Sequence, residues 1–311
     1  MAGTLPEATV REFLTTLARR GETAEEIAAA VEALRRAAVH IPLTKTYELC
    51  DTCGTGGDGQ GTANISTLAA LTAAAAGVRI AKHGNRAASS TCGSADLLEA
   101  LGVNLNATPA QVARCIEEAG FGFCFAPAFH PAMKAVAPIR KALGIRTIFN
   151  LIGPLANPLP LTFQLVGVSE ARLLQPMAEA MVRLGIRHGM VVHGADGLDE
   201  ITTTTETLVR EVQGGKIIER RLTPQMLGVP QATLASLRGG DRDTQVRLAC
   251  EVLSGVPSAI CDIVIVNAGC AIYLAERAAT IPEGMTQALQ TLTSGRATAL
   301  LGQVKGLTHA G

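Results

Sequence analysis

Residues 54–86 read GTGGDGQGTANISTLAALTAAAAGVRIAKHGNR. Four parts follow one another. Gly54 to Gly61 is a loop with five glycines in eight residues. Residues 66–76 are an Ala- and Leu-rich run of helical composition, and residues 78–82 predict a short strand. Lys82 to Arg86 opens a second, polar loop. Loop, helix, strand and loop make up the unit from which α/β domains are built. The glycines leave backbone amides uncovered, and uncovered amides cradle anions such as phosphate. Asn64-Ile-Ser-Thr67 follows directly and adds hydroxyls and helix-end amides to the same place. Taken alone, the loop also reads as a tight turn that uses Gly for positive φ.

Two familiar nucleotide loops are excluded. Gly54-x-Gly56-x-x-Gly59 formally matches the dinucleotide fingerprint. However, Tyr47 to Thr52 reads as a poor buried strand, and no acidic residue lies about 20 positions on to hold a ribose. The next acid after Asp58 is Asp96. A Walker A loop fails because no Lys-Ser/Thr pair follows the glycines.

Two further clusters carry chemistry. In Lys82-His-Gly-Asn-Arg-Ala-Ala-Ser-Ser90, followed by Cys92-Gly-Ser-Ala-Asp96, Lys82 and Arg86 are placed to neutralise phosphate. Ser89, Ser90 and Ser94 can donate to its oxygens. A single Lys or Arg is ordinarily a solvated surface charge, but a polar cluster between Ala-rich helices fits that reading less well. Asp199-Glu200 lies just after a predicted strand, Met190 to His193. Adjacent carboxylates there suit Mg²⁺, which takes one or two carboxylates plus substrate phosphates. Alone, the pair also reads as an exposed acidic turn.

The rest of the chain extends the α/β pattern. Val10, Phe13, Leu14 and Leu17 predict the apolar stripe of one N-terminal helix, and Ile27, Val31 and Leu34 that of a second. Thr23-Ala-Glu-Glu26 is a capping box for the second. Thr108-Pro-Ala-Gln111 caps another helix. Gln164 to Val168 reads as a buried strand and 170–184 as a helix. Residues 131–157 interrupt the alternation with a basic helical run, Met133 to Leu143, and a Pro-punctuated turn, Gly153 to Pro158. The fold expected is α/β: a small helical domain of residues 1–45 with 131–157, and a larger domain of 46–130 with 158–311 around a mostly parallel central sheet.

Composition narrows the function. At roughly 150 residues per domain, 311 residues suggest about two domains. With 48% hydrophobic and 17% charged residues the chain can bury a large core, which excludes disorder. Lys+Arg and Asp+Glu both number 27, so there is no basic excess for nucleic acid or a membrane surface. Aromatics are 3% and Trp is absent, which does not suit base stacking. The N-terminus shows no targeting segment, and the apolar stretches 68–78 and 258–275 do not read as membrane spans. A cytoplasmic protein is expected. The eight cysteines lie in apolar contexts and read as reduced core thiols. Cys50-Asp-Thr-Cys53 lacks the second pair a zinc site needs.

Together the motifs resemble the anthranilate phosphoribosyltransferases, members of the nucleoside-phosphorylase-like phosphoribosyltransferase family. The resemblance rests on Gly54 to Gly59, Asn64 to Thr67, Lys82 to Arg86, Gly93 to Asp96 with Leu98 to Gly102, Arg146 to Leu151, Gly153 to Leu155 with Asn157-Pro158, and Asp196 to Glu200. These stretches run in the family's order from about residue 20 to the end. The resemblance implies a homodimeric, Mg²⁺-dependent enzyme of tryptophan biosynthesis with its site at the hinge between the two domains. The amine of anthranilate attacks C1 of 5-phosphoribosyl diphosphate (PRPP), releasing pyrophosphate and giving N-(5-phosphoribosyl)anthranilate with inversion.

It also implies residue roles. PRPP is held by Gly54, Gly57, Asp58, Thr62, Asn64, Ile65, Ser66 and Thr67, then by Lys82, Asn85, Arg86, Ala87, Ala88, Ser89, Ser90 and Ser94. Ser66 holds one Mg²⁺, and Asp199 and Glu200 the other. Anthranilate lies by Gly54, His83 and Asn85, with its carboxylate on Arg140. His83, Asn85 and Arg140 are the catalytic candidates, His83 either as proton acceptor or as a positioning group. Two departures stand out. The N-terminus is shorter than the family pattern by roughly one helical segment, which bears on dimerisation. Phe129 precedes His130 where many members carry another His, and Met133 follows, which bears on aromatic packing. Competing functions are transfer to another small aromatic acid, a nucleoside phosphorylase, and a non-catalytic nucleic-acid-binding relative. The Asp199-Glu200 pair speaks against the second, and zero net charge against the third.

Overall fold

The computed structural model describes residues 5–87 and 91–310. Helices α1 (Glu7–Arg20) and α2 (Ala24–Arg36) open the chain. β1 (Cys50–Gly54) leads through the glycine loop into α3 (Ile65–Ala75). β2 (Ile80–Gly84) leads through the second polar loop into α4 (Ser94–Ala100) and α5 (Pro109–Arg114). After β3 (Phe121–Phe125) come three short helices, α6 (Ala126–Phe129), α7 (Ala137–Leu143) and α8 (Ile148–Ile152). β4 (Phe163–Gly167), α9 (Leu174–Arg183) and β5 (His188–Gly194) follow, then a hairpin of β6 (Thr207–Gln213) and β7 (Lys216–Leu222). The chain ends in α10 (Pro224–Leu227), α11 (Arg242–Leu253), α12 (Ala259–Leu274), α13 (Ile281–Thr293) and α14 (Arg296–His309).

Among the described residues seven strands lie in the order β3-β2-β1-β4-β5-β6-β7. The first five pair in parallel and the last two antiparallel, so the mostly parallel α/β fold read from the sequence is the fold observed. The chain steps from β1 outward to β2 and β3, then returns to β4 on the other side of β1. The carboxyl ends of β1 and β4 therefore form a topological switch point, where α/β sheets open a ligand crevice.

Two apolar layers cover the sheet. One contains the Ala-rich α3 and the apolar α12; α12 and α13 pack almost backbone to backbone, Gly269 of α12 meeting Gly284 and Met285 of α13 so closely that a Cβ would overlap them. The other contains α9 together with Leu14, Leu17, Ile27, Val31 and Leu34 of α1 and α2 and Ile148, Leu151 and Ile152 of α8. Both N-terminal stripes fold inward except Phe13, which is 60% exposed against expectation. It lies one step off the face that Leu14 and Leu17 bury. The Thr23 capping box is formed: Glu26 N donates to Thr23 Oγ1 at 3.2 Å, and Thr23 N to Glu26 Oε2 at 3.0 Å.

Several boundaries differ from expectation. The segment Tyr47 to Thr52, read as a poor buried strand, supplies the first half of β1, the middle strand of the parallel part. Its polar side chains tolerate burial because they find partners inside the protein: Asp51 Oδ2 accepts from His83 N and Asn157 Nδ2, and Thr52 Oγ1 donates to Ser66 O. β2 starts at Ile80, and the helix expected over 170–184 begins with a 3-10 turn, Ala171–Leu173. All eight cysteines are free thiols, but Cys250 is exposed and not a core residue. No described helix is long and apolar enough to cross a membrane.

Candidate functional site

The glycine loop leaves β1 at the switch point. Thr55 N donates to Gly167 O at 2.9 Å, joining the ends of β1 and β4. Gly56, Gly57, Gly59 and Gly61 all adopt φ between 63° and 74°, a left-handed conformation that L side chains resist. Beneath the loop lies the acidic pair from the turn after β5. Asp199 Oδ2 accepts from Gly56 N at 2.7 Å, and Glu200 Oε1 accepts from Ser66 N at 3.0 Å in the first turn of α3. The approach is so close that a Cβ on Gly167 would overlap the Asp199 backbone. Gly167→Ala is therefore expected to displace the acidic turn and cost about 1–3 kcal/mol by overpacking. A thermal melt and an activity assay on that variant check this.

The pair is not an exposed acidic turn. Burial, then the nearby Asp58, raise the Asp199 pKa to about 6. Burial and Asp199 push Glu200 well above the carboxylate range, and burial raises Asp58 too. Arg146, absent from the predicted site, is the cation that steadies this loop. Its Nη2 donates to Gly56 O at 3.2 Å, and its Nη1 to Ser169 Oγ and Glu170 Oε1 at 3.0 Å. The only sequence signal for it was its place in the Arg146 to Leu151 stretch.

The second polar loop is placed beside the first, but its two cations are engaged. Lys82 is 1% exposed and its Nζ donates to Thr52 O at 2.6 Å. Arg86 forks between Asp96 and Glu99, with contacts of 2.8–2.9 Å, and does not stand free over the loop. Asp96 also accepts from Ala87 N and Gly93 N at 2.9 Å, so this acid shapes the loop that the cation was expected to serve. Asn85 is exposed, and its carbonyl accepts from Ser94 Oγ at 3.3 Å. Asn64 stands at the N-cap position of α3 without a capping side-chain hydrogen bond; Ile65 and Thr67 are buried in the first turn, and Thr62 bridges to Arg238. Ala88, Ser89 and Ser90 lie outside the described residues.

A third group lies at the far side of β2. His83 is 8% exposed, its Nδ1 is 3.0 Å from Gly153 O, and its ring meets His130 edge-on at 5.0 Å. A carbonyl partner fixes Nδ1 as the donor, so Nε2 carries the lone pair; it is buried without a partner among the described residues. Burial, then the neighbouring His130, lower the His83 pKa to about 3, and burial lowers that of His130. An unfolded His takes a proton near pH 6.5, whereas the folded His83 does so only near 3. Between these values the unfolded chain binds more protons, so stability falls as pH drops below about 6.5. The melting temperature should fall from pH 6.5 to 5, and less steeply in His83→Gln. Arg140, on α7, is half-buried, lies over the Phe149 ring at 5.3 Å and has no carboxylate partner among the described residues. Burial lowers its pKa.

A family model described as "Glycosyl transferase family, a/b domain" matches residues 46–298. The anthranilate phosphoribosyltransferase of Rubrobacter xylanophilus is 50% identical over 96% of this chain and 87% of its own. The crystal structure of the Thermus thermophilus anthranilate phosphoribosyltransferase superposes with a TM-score of 0.94 at 46% identity, covering 99% of this chain and 92% of that one. The chain belongs to the anthranilate phosphoribosyltransferase family. A more distant structure of that family, from Saccharomyces cerevisiae in complex with PRPP and Mg, is 31% identical over 97% of this chain and 85% of its own, with a TM-score of 0.89.

The donor set accords with the metal that membership in an anthranilate phosphoribosyltransferase family implies. Among the described residues, no three His, Cys, Asp or Glu side chains converge as a ready-made metal site. Mg²⁺ does not require one, because it draws oxygens from substrate phosphates and water. Asp199 and Glu200 supply adjacent, partly desolvated carboxylates whose raised pKa values a cation would reverse. Ser66, whose amide Glu200 holds, lies next to them.

Proposed function

We propose that the chain transfers the 5-phosphoribosyl group of PRPP to the amine of anthranilate, giving N-(5-phosphoribosyl)anthranilate and pyrophosphate in tryptophan biosynthesis. The observation that carries the reading is the meeting of glycine-loop amides, the α3 N-terminus and the Asp199-Glu200 pair at the sheet's switch point, in a chain of this family. In this reading Gly54, Gly57, Asp58, Thr62, Asn64, Ser66 and the second loop from Asn85 hold PRPP, with Asp199, Glu200 and Ser66 toward Mg²⁺. Bound Mg²⁺ neutralises the diphosphate and stabilises it as a leaving group. The chain's own amides hold the phosphates while charge moves onto them.

The ribosyl carbon becomes cationic as its bond to diphosphate breaks, so orientation of the two substrates carries much of the rate. The aromatic amine is neutral at neutral pH and needs no strong base. His83, with its pKa near 3, is a poor base; buried and held through Nδ1 by Gly153 O, it acts as a positioning group. Arg140 takes the carboxylate through its planar fork. Residues 1–45 with 131–157 form the small domain in this reading, residues 46–130 with 158–311 the large one, and the enzyme is a cytoplasmic homodimer.

The test follows loss of anthranilate emission on adding PRPP, with Mg²⁺ and then with a chelator, alongside pyrophosphate release. Equimolar, Mg²⁺-dependent loss is expected. PRPP binding without anthranilate loss would redirect the assignment to another aromatic acid, and absence of both would overturn it.

A further inference from the structure

The exit of the glycine loop is held by a segment that no motif marks. Between a 3-10 turn at Leu234–Leu237 and α11, the chain runs alongside residues 61–63. Ala63 N donates to Leu237 O, and Gly239 N to Gly61 O, each at 2.9 Å. Thr62 and Arg238 form an isolated antiparallel bridge. Gln245, in the first turn of α11 and 3% exposed, completes the contact. Its Oε1 accepts from Asn64 N at 3.1 Å and from Asn64 Nδ2 at 3.3 Å, and its Nε2 donates to Thr62 O at 3.2 Å. The same segment reaches the second polar loop: Thr91 Oγ1 donates to Gly240 O at 2.7 Å, and Asn64 Nδ2 also donates to Cys92 O at 3.1 Å. A Cβ on Gly239 would overlap the Gln245 carboxamide and come within 2.6 Å of Thr62 O, so only glycine lets the strap lie this close.

We infer that Gln245 is a positioning residue for PRPP, acting through Asn64 and Thr62. The inference rests on the transferase reading above. A buried carboxamide with both ends satisfied by one short stretch of backbone is a costly feature unless that stretch must keep its shape. Here the stretch joins the glycine loop to the α3 N-terminus. With the Asn64 amide hydrogens committed to Gln245 and Cys92, the Asn64 side chain is locked in one rotamer, and its Oδ1 is left to accept from a ligand hydroxyl. Gln245 touches no substrate, so it governs how well PRPP is held and leaves the aromatic side of the site alone.

The test is Gln245→Met, which keeps the length and removes the hydrogen bonds. KM for PRPP should rise about tenfold, equivalent to ~1.4 kcal/mol, while kcat and KM for anthranilate stay within about twofold. Calorimetry with PRPP and Mg²⁺ on wild type and variant separates the two claims. A wild type that does not bind PRPP defeats the transferase reading. A wild type that binds, with a folded Gln245→Met that binds equally tightly, defeats the role of Gln245, as does a parallel change in both KM values. If Gln245→Met does not fold, Gly239→Ala decides the matter, because it displaces the carboxamide without removing it; the same rise in KM for PRPP alone is expected.

Discussion

The double substitution Asp199→Ala with Glu200→Ala is expected to lower kcat at least about a thousandfold, or ~4 kcal/mol. Residual activity should lose its dependence on Mg²⁺. The size of the effect follows from what the pair would do: it sits between the glycine loop and α3, where leaving-group charge must be offset. The fold should survive, since both carboxylates are desolvated and repel each other, so removing them relieves as much as it costs. The measurement is kcat across a Mg²⁺ titration beside a thermal melt. A folded double variant with normal, Mg²⁺-dependent turnover would rule out the metal role.

Arg140→Ala should raise KM for anthranilate about 30-fold, or ~2 kcal/mol, and leave KM for PRPP unchanged. The lower end of the range for a charge pair is taken because Arg140 is only half-buried. Its guanidinium, held over Phe149 without an acidic partner among the described residues, is oriented and uncommitted. Arg140→Lys should recover little, because an ammonium cannot grip a carboxylate with two parallel hydrogen bonds. If both KM values move, or neither does, the assignment fails.

The glycine loop and acidic turn proposed to hold the phosphates were legible in the sequence because their signals are local. The glycine loop, the helix after it and the Asp199-Glu200 turn each sit within a few residues, and the strand before the pair was recognisable by its apolar run. What escaped notice depends on which partners side chains find, some near in the chain and some far along it. β1 looked too polar to be buried, yet Asp51 meets Asn157 and Thr52 meets Ser66. Arg86 looked free, although Asp96 and Glu99, lying on one face of α4, were visible as possible partners. Gln245 holds Asn64 from 181 positions away, and nothing in either local sequence announces the pairing. The β6–β7 hairpin could have been found from Gly214-Gly215 between two alternating runs.

The sheet ends at β7, whose exposed residues include Lys216, Glu219, Arg220 and Arg221. An open strand edge is ordinarily a template on which another chain can add a strand and begin to aggregate. These charges, with Arg220 paired to Glu211 and Arg221 to Glu206, would have to give up solvent and partners for another strand to add here. The hairpin that extends the sheet beyond its parallel part thus also carries its charged edge, a poor template for a further strand.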